Sequence, residues 1–446
     1  MATPFGNTLL VGAGPAAIQA AVNLGGSWCD RIGLLARSSP RTDRLKQELQ
    51  QHNYRLQAAV QNEKHSRLSG LAYLQEVYEP HDNIEAIWQT VVICTPSNSY
   101  REIIGSLKPA LLSGVQTIIL LSPGIGSNLL VKSQLRQTRP DINVISFSTY
   151  YAATKFTDVS TSLLSVLTKA VKKRVYVGAS QQDSPAAGAV KRFFASLGIA
   201  CTVMNQPLEA ESRGITTYVH PPFFLNEFSL NEIFAVATSK KSLYKIYPEG
   251  PVSQHSIRTM VLLWQEISVF LQSFGARPFN LLKFLNDDNY PVHEYTLSRQ
   301  DIEGFTEAGQ IKQEYLLYIR YSAILIDPFS VPDSKGKYFD FSSVPYQQIW
   351  QNRKGKWMIP RIPLEDYQKL KLIYQLARLR QLPMPQTLAL ITIFEDKVKS
   401  FLEENGDNCL ADHIITDAAE QDALAIIEEI GRQNQATTQI RMVNNR

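Results

Sequence analysis

A chain of 446 residues is too long for one ordinary domain, and two domains are the natural expectation. Hydrophobic residues make up 44% and charged residues 19%, which fits a packed globular chain and excludes a disordered one. The formal net charge of +4 is small, and the basic residues are scattered without aromatic interleaving, so no nucleic-acid partner is expected.

The first residues, Met1-Ala2-Thr3-Pro4-Phe5-Gly6-Asn7, lack a basic leader, an apolar stretch and a cleavage site. No apolar run approaches the ~20 residues of a membrane-spanning helix. A cytoplasmic chain without a membrane partner is therefore expected. The cysteines, Cys29, Cys94, Cys201 and Cys409, form no CxxC pair. They read as reduced thiols, with neither a disulfide framework nor a metal site.

Residues 1–208 alternate short apolar runs with amphipathic segments, the pattern of repeated βα units. Thr8–Val11, Arg31–Ala36, Thr90–Cys94, Thr117–Leu121 and Asn143–Phe147 read as strands, apolar on both faces as buried parallel strands are. A helix is predicted over Ala16–Leu24, and Arg174–Val177 and Ala200–Val203 read as strands flanking a helix at Ala187–Leu197. Residues 209–446 change character. Apolar residues recur at three- and four-residue spacing in Ser256–Phe274, Gln313–Ile326, Leu364–Arg380 and Gln386–Glu403, which predicts helices. The loops between them hold Tyr247-Pro248-Glu249-Gly250-Pro251 and Pro332-Asp333-Ser334-Lys335-Gly336, and the polar tail from Gln433 is expected to fray. The fold class is thus α/β: an N-terminal Rossmann-type doubly wound parallel sheet, then a mainly α-helical C-terminal domain.

Thr8-Leu9-Leu10-Val11-Gly12-Ala13-Gly14-Pro15-Ala16-Ala17 has the order strand, glycine turn, helix. Gly12 permits the tight turn, and Gly14 lets a pyrophosphate approach a helix N-terminus, where free N–H groups and the dipole favour anions. Gly12, Ala13, Gly14 and Pro15 are the candidate dinucleotide contacts, and Ala17 stands where the fingerprint packs helix on strand. An ordinary glycine turn, or a site for another nucleotide, is the competing reading.

Cofactor choice is read at the end of the second strand, where an acid accepts from the ribose 2′-hydroxyl of NAD. That strand ends Leu34-Leu35-Ala36-Arg37-Ser38-Ser39-Pro40-Arg41, and Asp30 lies before it, at the wrong end. Arg37 and Arg41, with the Ser38 and Ser39 hydroxyls, suit the 2′-phosphate of NADPH, because guanidinium groups make charged hydrogen bonds to phosphate oxygens. Two more strand ends should frame the same crevice: Cys94-Thr95-Pro96-Ser97 and Ser122-Pro123-Gly124-Ile125-Gly126-Ser127. Thr95 there is either a contact for the nicotinamide ribose or a helix cap.

Seven histidines occur, and six have ordinary settings. His220 lies in Thr216-Thr217-Tyr218-Val219-His220-Pro221-Pro222-Phe223-Phe224, at the changeover between the two halves. Two prolines are expected to fix the chain just after it, where a cleft between domains should open. Imidazole titrates near neutrality and can pass a proton to an amine or carbinolamine. A hydrogen-bonded core histidine is the alternative.

Several longer runs carry a resemblance. Val144-Ile145-Ser146-Phe147-Ser148-Thr149-Tyr150-Tyr151, Tyr218–Pro222, the Tyr247–Pro251 loop and Asn286-Asp287-Asp288-Asn289-Tyr290-Pro291-Val292 are four. Gln313-Glu314-Tyr315-Leu316-Leu317-Tyr318-Ile319-Arg320-Tyr321 and Ile326-Asp327-Pro328-Phe329-Ser330 are two more. Together they resemble the opine metallophore dehydrogenases, the makers of staphylopine, pseudopaline and yersinopine, with most likeness to the last two. The resemblance implies an NADPH-dependent reductive condensation of an aminobutyryl-histidine with an α-keto acid, pyruvate favoured over 2-oxoglutarate. The product would chelate nickel, zinc, cobalt or copper, so the metal belongs to the product and not to the enzyme. It also implies that His220 is the general acid/base, that Arg37 receives the 2′-phosphate, and that the enzyme is a homodimer. Such enzymes pair their histidine with an aspartate of the helical domain, for which Asp287, Asp288, Asp301 and Asp327 are candidates. Ala153 stands where the staphylopine-type enzymes carry Asp, which implies an L-histidine-derived amine. A related hydroxy-acid dehydrogenase or ketopantoate-reductase-like enzyme, and a non-catalytic NADPH sensor, are the competing readings.

Overall fold

Twelve strands form the two sheets of the N-terminal unit, and the burial of each explains where it lies. They are β1 (Asn7–Val11), β2 (Arg31–Leu35), β3 (Arg55–Val60), β4 (Gly70–Tyr73), β5 (Glu76–Tyr78) and β6 (Thr90–Ile93). β7 (Thr117–Leu120), β8 (Asn143–Phe147), β9 (Ala152–Phe156), β10 (Ser165–Val171), β11 (Arg174–Ala179) and β12 (Ala200–Val203) follow. The computed structural model describes residues 3–235, 241–243, 245–325, 345–411, 414 and 417–444.

The large sheet has the order β12-β11-β8-β7-β6-β1-β2-β5. β6, β7 and β8 are buried along their whole length, so both faces must be covered by helices, and a parallel arrangement follows. Neighbours in this sheet are parallel except β8 and β11, which pair antiparallel. β2 lies on one side of β1, and β6, β7 and β8 lie on the other. The chain therefore reverses direction across the sheet between β1 and β6, and the crevice outside the carboxyl ends of those two strands is where such sheets bind ligands.

A second sheet, β4-β3-β10-β9, has no counterpart in the sequence reading. Its strands alternate buried and exposed residues, as in β3, where Leu56 and Ala58 are buried and Arg55 and Gln57 exposed. Leu56, Ala58, Ala72 and Val166 join the core on the side of the helix Pro15–Leu24. Runs such as Arg-Leu-Gln-Ala-Ala-Val are apolar largely through alanine and lose their alternation after four residues, so periodicity does not announce a strand.

The chain divides into two compact units, Met1–Gly214 with Ala425–Arg446, and Ile215–Leu424. The first therefore runs past the expected boundary at 208 and takes in a C-terminal segment that sequence assigns to the helical half. Helix Ala419–Asn444 carries that segment, so helix is found where fraying is expected after Gln433. Within the second unit, Gln254–Ser273 packs against Thr216–Phe224, Gln310–Leu325 and Pro385–Asn405. Ser253 caps it by accepting from the Ser256 N–H at 3.2 Å. The Ile326–Ser330 run, Asp327 with it, and the Pro332–Gly336 loop lie outside the described residues.

Candidate functional site

Gly12 adopts φ of +111°, a region that side chains disfavour, and its N–H donates to the Leu35 carbonyl at 2.8 Å. A Cβ built on Gly12 would come within 3.0 Å of Thr95 Cγ2, so β1 and β6 close on each other at the switch point. Helix Pro15–Leu24 then starts with Gly14 as its cap and no side-chain hydrogen bond to its first turn. A Cβ on Gly14 would meet nothing within 4 Å, and Ala17 is fully buried against the sheet. An uncapped helix start with open space above it fits a pyrophosphate.

The helix Ser127–Leu135, at the end of β7, is different. The buried Glu211 carboxylate accepts from the Gly126 and Asn128 N–H groups at 2.8 and 2.7 Å and from the Ser146 hydroxyl at 2.8 Å. Burial pushes its pKa up to about 7 against the lowering effect of those bonds. A carboxylate of the chain thus fills this N-terminus, whereas no side chain caps the helix that starts after Gly14. Sequence reasoning missed Glu211, since nothing local marks a carboxylate that folds back over 83 residues.

At the end of β2, Arg37 and Arg41 are exposed, and the Arg41 guanidinium sits 4.8 Å from the centre of the Phe156 ring. The Ser38 hydroxyl donates to the Glu79 carboxylate, which also pairs with Lys46 at 2.6 Å. These bonds from Lys46 and Ser38 hold the Glu79 carboxyl below the usual range. The strand tip is therefore free of acids only in sequence, because folding brings Glu79 there together with its own cation. Ser39 caps the helix Pro40–Gln51 by accepting from the Thr42 N–H at 3.2 Å, and the Thr42 hydroxyl donates to the Arg37 carbonyl at 2.7 Å. Both serine hydroxyls thus have work in the protein, while Arg37 and Arg41 remain outward. Their charges suit a phosphate monoester.

Thr95 has its hydroxyl 2.8 Å from that of Ser99. Cys94, beside it, is an uncharged thiol, since burial pushes its pKa up to about 12. Ala153 is exposed on β9, opposite Ala170 on β10.

In the second unit His220 lies on helix Thr216–Phe224, and Pro221 and Pro222 are inside that helix rather than after it. The two prolines follow His220 directly but within a helix: the helix forgoes two N–H donors and is held by packing of Tyr218, Phe223 and Phe224, all buried. His220 Nδ1 lies 3.2 Å from Asp366 Oδ2, with 15% of the histidine side chain exposed and 4% of the aspartate. The Phe224 ring meets the imidazole edge-on at 5.3 Å. Asp366 comes from helix Arg361–Leu379 and is none of the four expected aspartates. Asp287 is paired with Arg299 at 2.9 Å, and Asp301 with Lys312 at 2.9 Å. An acid on the buried side of an amphipathic helix was the available signal. Next to it, burial would raise the Glu365 carboxyl, but the Lys369 and Arg361 charges outweigh that and hold it low. Among the described residues no group of three or more His, Cys, Asp or Glu is placed to hold a metal, and no helix is long and apolar enough to cross a membrane.

The sequence profile of the staphylopine dehydrogenase family matches residues 6–430. Pseudopaline synthase of Pseudomonas aeruginosa is 45% identical over 405 residues, 90% of this chain and 92% of that protein. Staphylopine synthase of Staphylococcus aureus is 36% identical over 429 residues, 95% of this chain and 98% of that protein. The solved structure of NADP+-bound yersinopine dehydrogenase superposes with a TM-score of 0.88 at 30% identity, covering 96% of this chain and 99% of that one.

Proposed function

The chain belongs to the staphylopine dehydrogenase family, and from that premise we propose that it is an NADPH-dependent opine dehydrogenase joining an aminobutyryl-L-histidine to an α-keto acid. Pyruvate is the favoured keto acid and 2-oxoglutarate the second. The observation that carries the reading is the hydrogen bond of 3.2 Å between His220 and the buried Asp366.

An ionised carboxylate only accepts, so Nδ1 carries the proton toward Asp366 and Nε2 is left to exchange protons with a substrate. The amine lone pair attacks the ketone carbon, the C–N bond forms, and nitrogen loses a proton while the carbonyl oxygen gains one. The resulting carbinolamine must then lose its hydroxyl as water, which needs an acid. His220 takes the proton from nitrogen and passes it to the carbonyl oxygen, then, recharged by a proton from solvent, protonates the carbinolamine hydroxyl so that it leaves as water, and Asp366 stabilises the imidazolium formed each time. The nicotinamide, when bound, supplies the hydride that reduces the imine carbon. Gly12, Ala13, Gly14 and Pro15 would hold the pyrophosphate at the uncapped helix start, and Arg37 and Arg41 the 2′-phosphate. Thr95 is assigned to the nicotinamide ribose. Ala153 leaves room where an acid side chain would stand, which favours the L-histidine-derived amine.

The product is a secondary amine flanked by carboxylates, able to chelate nickel, zinc, cobalt or copper as cargo. The reading places the enzyme in the cytoplasm, as a homodimer of mass twice that of one chain. NADPH oxidation followed by absorbance, with aminobutyryl-L-histidine and each keto acid in turn, is the test. Turnover that requires both the amine and pyruvate is expected. Absence of oxidation with either keto acid would overturn the reading.

A further inference from the structure

A continuous run of hydrogen bonds links the helix of the glycine turn to the carboxyl end of β8. Gln19, fully buried in the middle of helix Pro15–Leu24, donates from Nε2 to the Leu68 carbonyl at 2.7 Å and to Asn23 Oδ1 at 2.9 Å. Its Oε1 accepts from the Thr168 hydroxyl at 2.8 Å. Thr168 Oγ1 lies 2.7 Å from Thr154 Oγ1, which lies 2.8 Å from the Tyr150 phenolic oxygen. Thr168 is on β10, Thr154 on β9 next to Ala153, and Tyr150 is the third residue past β8.

The direction of every bond follows from one fixed point. The Leu68 carbonyl can only accept, so the atom of Gln19 facing it is the amide nitrogen, and Oε1 must face Thr168. Oε1 can only accept, so the single Thr168 proton goes to it. Thr154 must then donate to Thr168, and the single Tyr150 proton must go to Thr154. Burial raises the Tyr150 pKa, and the nearby Cys94 adds to the rise, so this proton stays in place at working pH. The Tyr150 oxygen has its proton committed and only lone pairs left to offer. Tyr150 follows the end of β8, in the same row of strand ends as Cys94 after β6, on the half of the sheet beyond the switch point from β1. By the geometry of such sheets that half faces the reacting end of a dinucleotide and its substrate.

We propose that the Tyr150 phenolic oxygen is an acceptor-only specificity contact for an N–H donor in the crevice, held in that state by Thr154, Thr168 and Gln19. It accepts from groups that carry a hydrogen to give, such as N–H, and rejects carboxylate or carbonyl oxygens, which have none. The N–H group belongs either to the amine substrate or to the nicotinamide carboxamide. The proposal rests on the dehydrogenase reading only for the identity of those ligands.

Tyr150→Phe keeps the ring and deletes the oxygen. Two affinities are measured for it: NADPH by fluorescence titration, and aminobutyryl-L-histidine on the NADP+-loaded enzyme by calorimetry. Loss of one such bond to a charged donor weakens binding roughly tenfold or more. A weaker amine with unchanged NADPH assigns the contact to the substrate, and a weaker NADPH assigns it to the carboxamide. Both affinities unchanged overturns the proposal. Neither measurement requires turnover, so a failed condensation assay sinks the proposed reaction and leaves this result standing. Thr154→Val, which removes the acceptor of the Tyr150 proton, should weaken the same ligand, and Thr154→Ser should restore it. In the double variant Tyr150→Phe with Thr154→Val the losses should not add, because Thr154 acts through Tyr150. Additive losses would show that the chain of bonds does not act through the phenol. Thermal melts of each variant separate a binding loss from unfolding.

Discussion

Replacing Asp366 by Asn keeps a hydrogen-bonding group 3.2 Å from His220 Nδ1 but removes the charge and lets the amide offer N–H in its place. The imidazole then loses both its chosen tautomer and the stabilisation of its protonated form. Asp366→Asn is expected to lower kcat by about 10²-fold or more, with His220→Ala at least as damaging and the pair no worse than the worse single variant. Steady-state rates at saturating amine and keto acid test this, and a double variant that multiplies the two losses would show that the residues act apart. NADPH affinity should be unchanged in all three. Arg37 is a separate residue-scale case, because it is exposed and has no role in the fold that its loss would disturb. Arg37→Ala is expected to weaken NADPH by roughly 10- to 100-fold and leave NADH untouched, since only the former carries a 2′-phosphate. Dissociation constants for both cofactors decide it, and a retained preference for NADPH would move the phosphate site elsewhere.

Two helix starts in the first unit look alike in sequence, each following a strand and a glycine. One is filled by Glu211 and the other has open space above Gly14, so only the second can take a ligand anion. The two glycines of that turn differ as well. Gly14 has φ of −85°, which alanine adopts freely, while Gly12 has φ of +111° and would press a Cβ against Thr95. Gly14→Ala should therefore cost no more than about 1 kcal/mol of stability, as an alanine in place of a capping glycine does, yet weaken NADPH more than tenfold by occupying the pyrophosphate space. Gly12→Ala should instead lower the melting temperature directly. Parallel melts and NADPH titrations separate the two, and a Gly14→Ala protein that binds NADPH normally would contradict the assignment. The helix Arg361–Leu379 makes a related point. Its apolar face suits a core or a subunit interface in sequence, but Leu364, Leu370, Ile373 and Leu376 are buried within the second unit, where the helix packs on Thr216–Phe224 and Pro385–Asn405. That face is core, and it is what presents Asp366 to His220.

At the scale of the molecule, the chain does not simply run from one unit to the next. Residues Ala425–Arg446 rejoin the first unit, where Arg136 and Glu428 pair at 3.2 Å and Ile426 is 1% exposed. Truncating a buried isoleucine costs about 2–5 kcal/mol. Ile426→Ala should lower stability by that amount in denaturant melts, whereas a solvated tail would show no change. What the sequence alone determined follows local rules: the glycine turn, the seven strands read from apolar runs, the four long helices and the placing of Arg37 at a strand end each depend on residues within a few positions of one another. Tertiary structure alone decided the rest. Asp366 reaches His220 across 146 residues, Glu79 meets Ser38 across 41, and Thr168 meets Gln19 across 149. The second sheet, too weakly apolar to be seen by periodicity, exists because its small buried residues pack on the helix of the glycine turn. Partners separated by that much chain are chosen by which surfaces bury each other, and no local spacing encodes that choice.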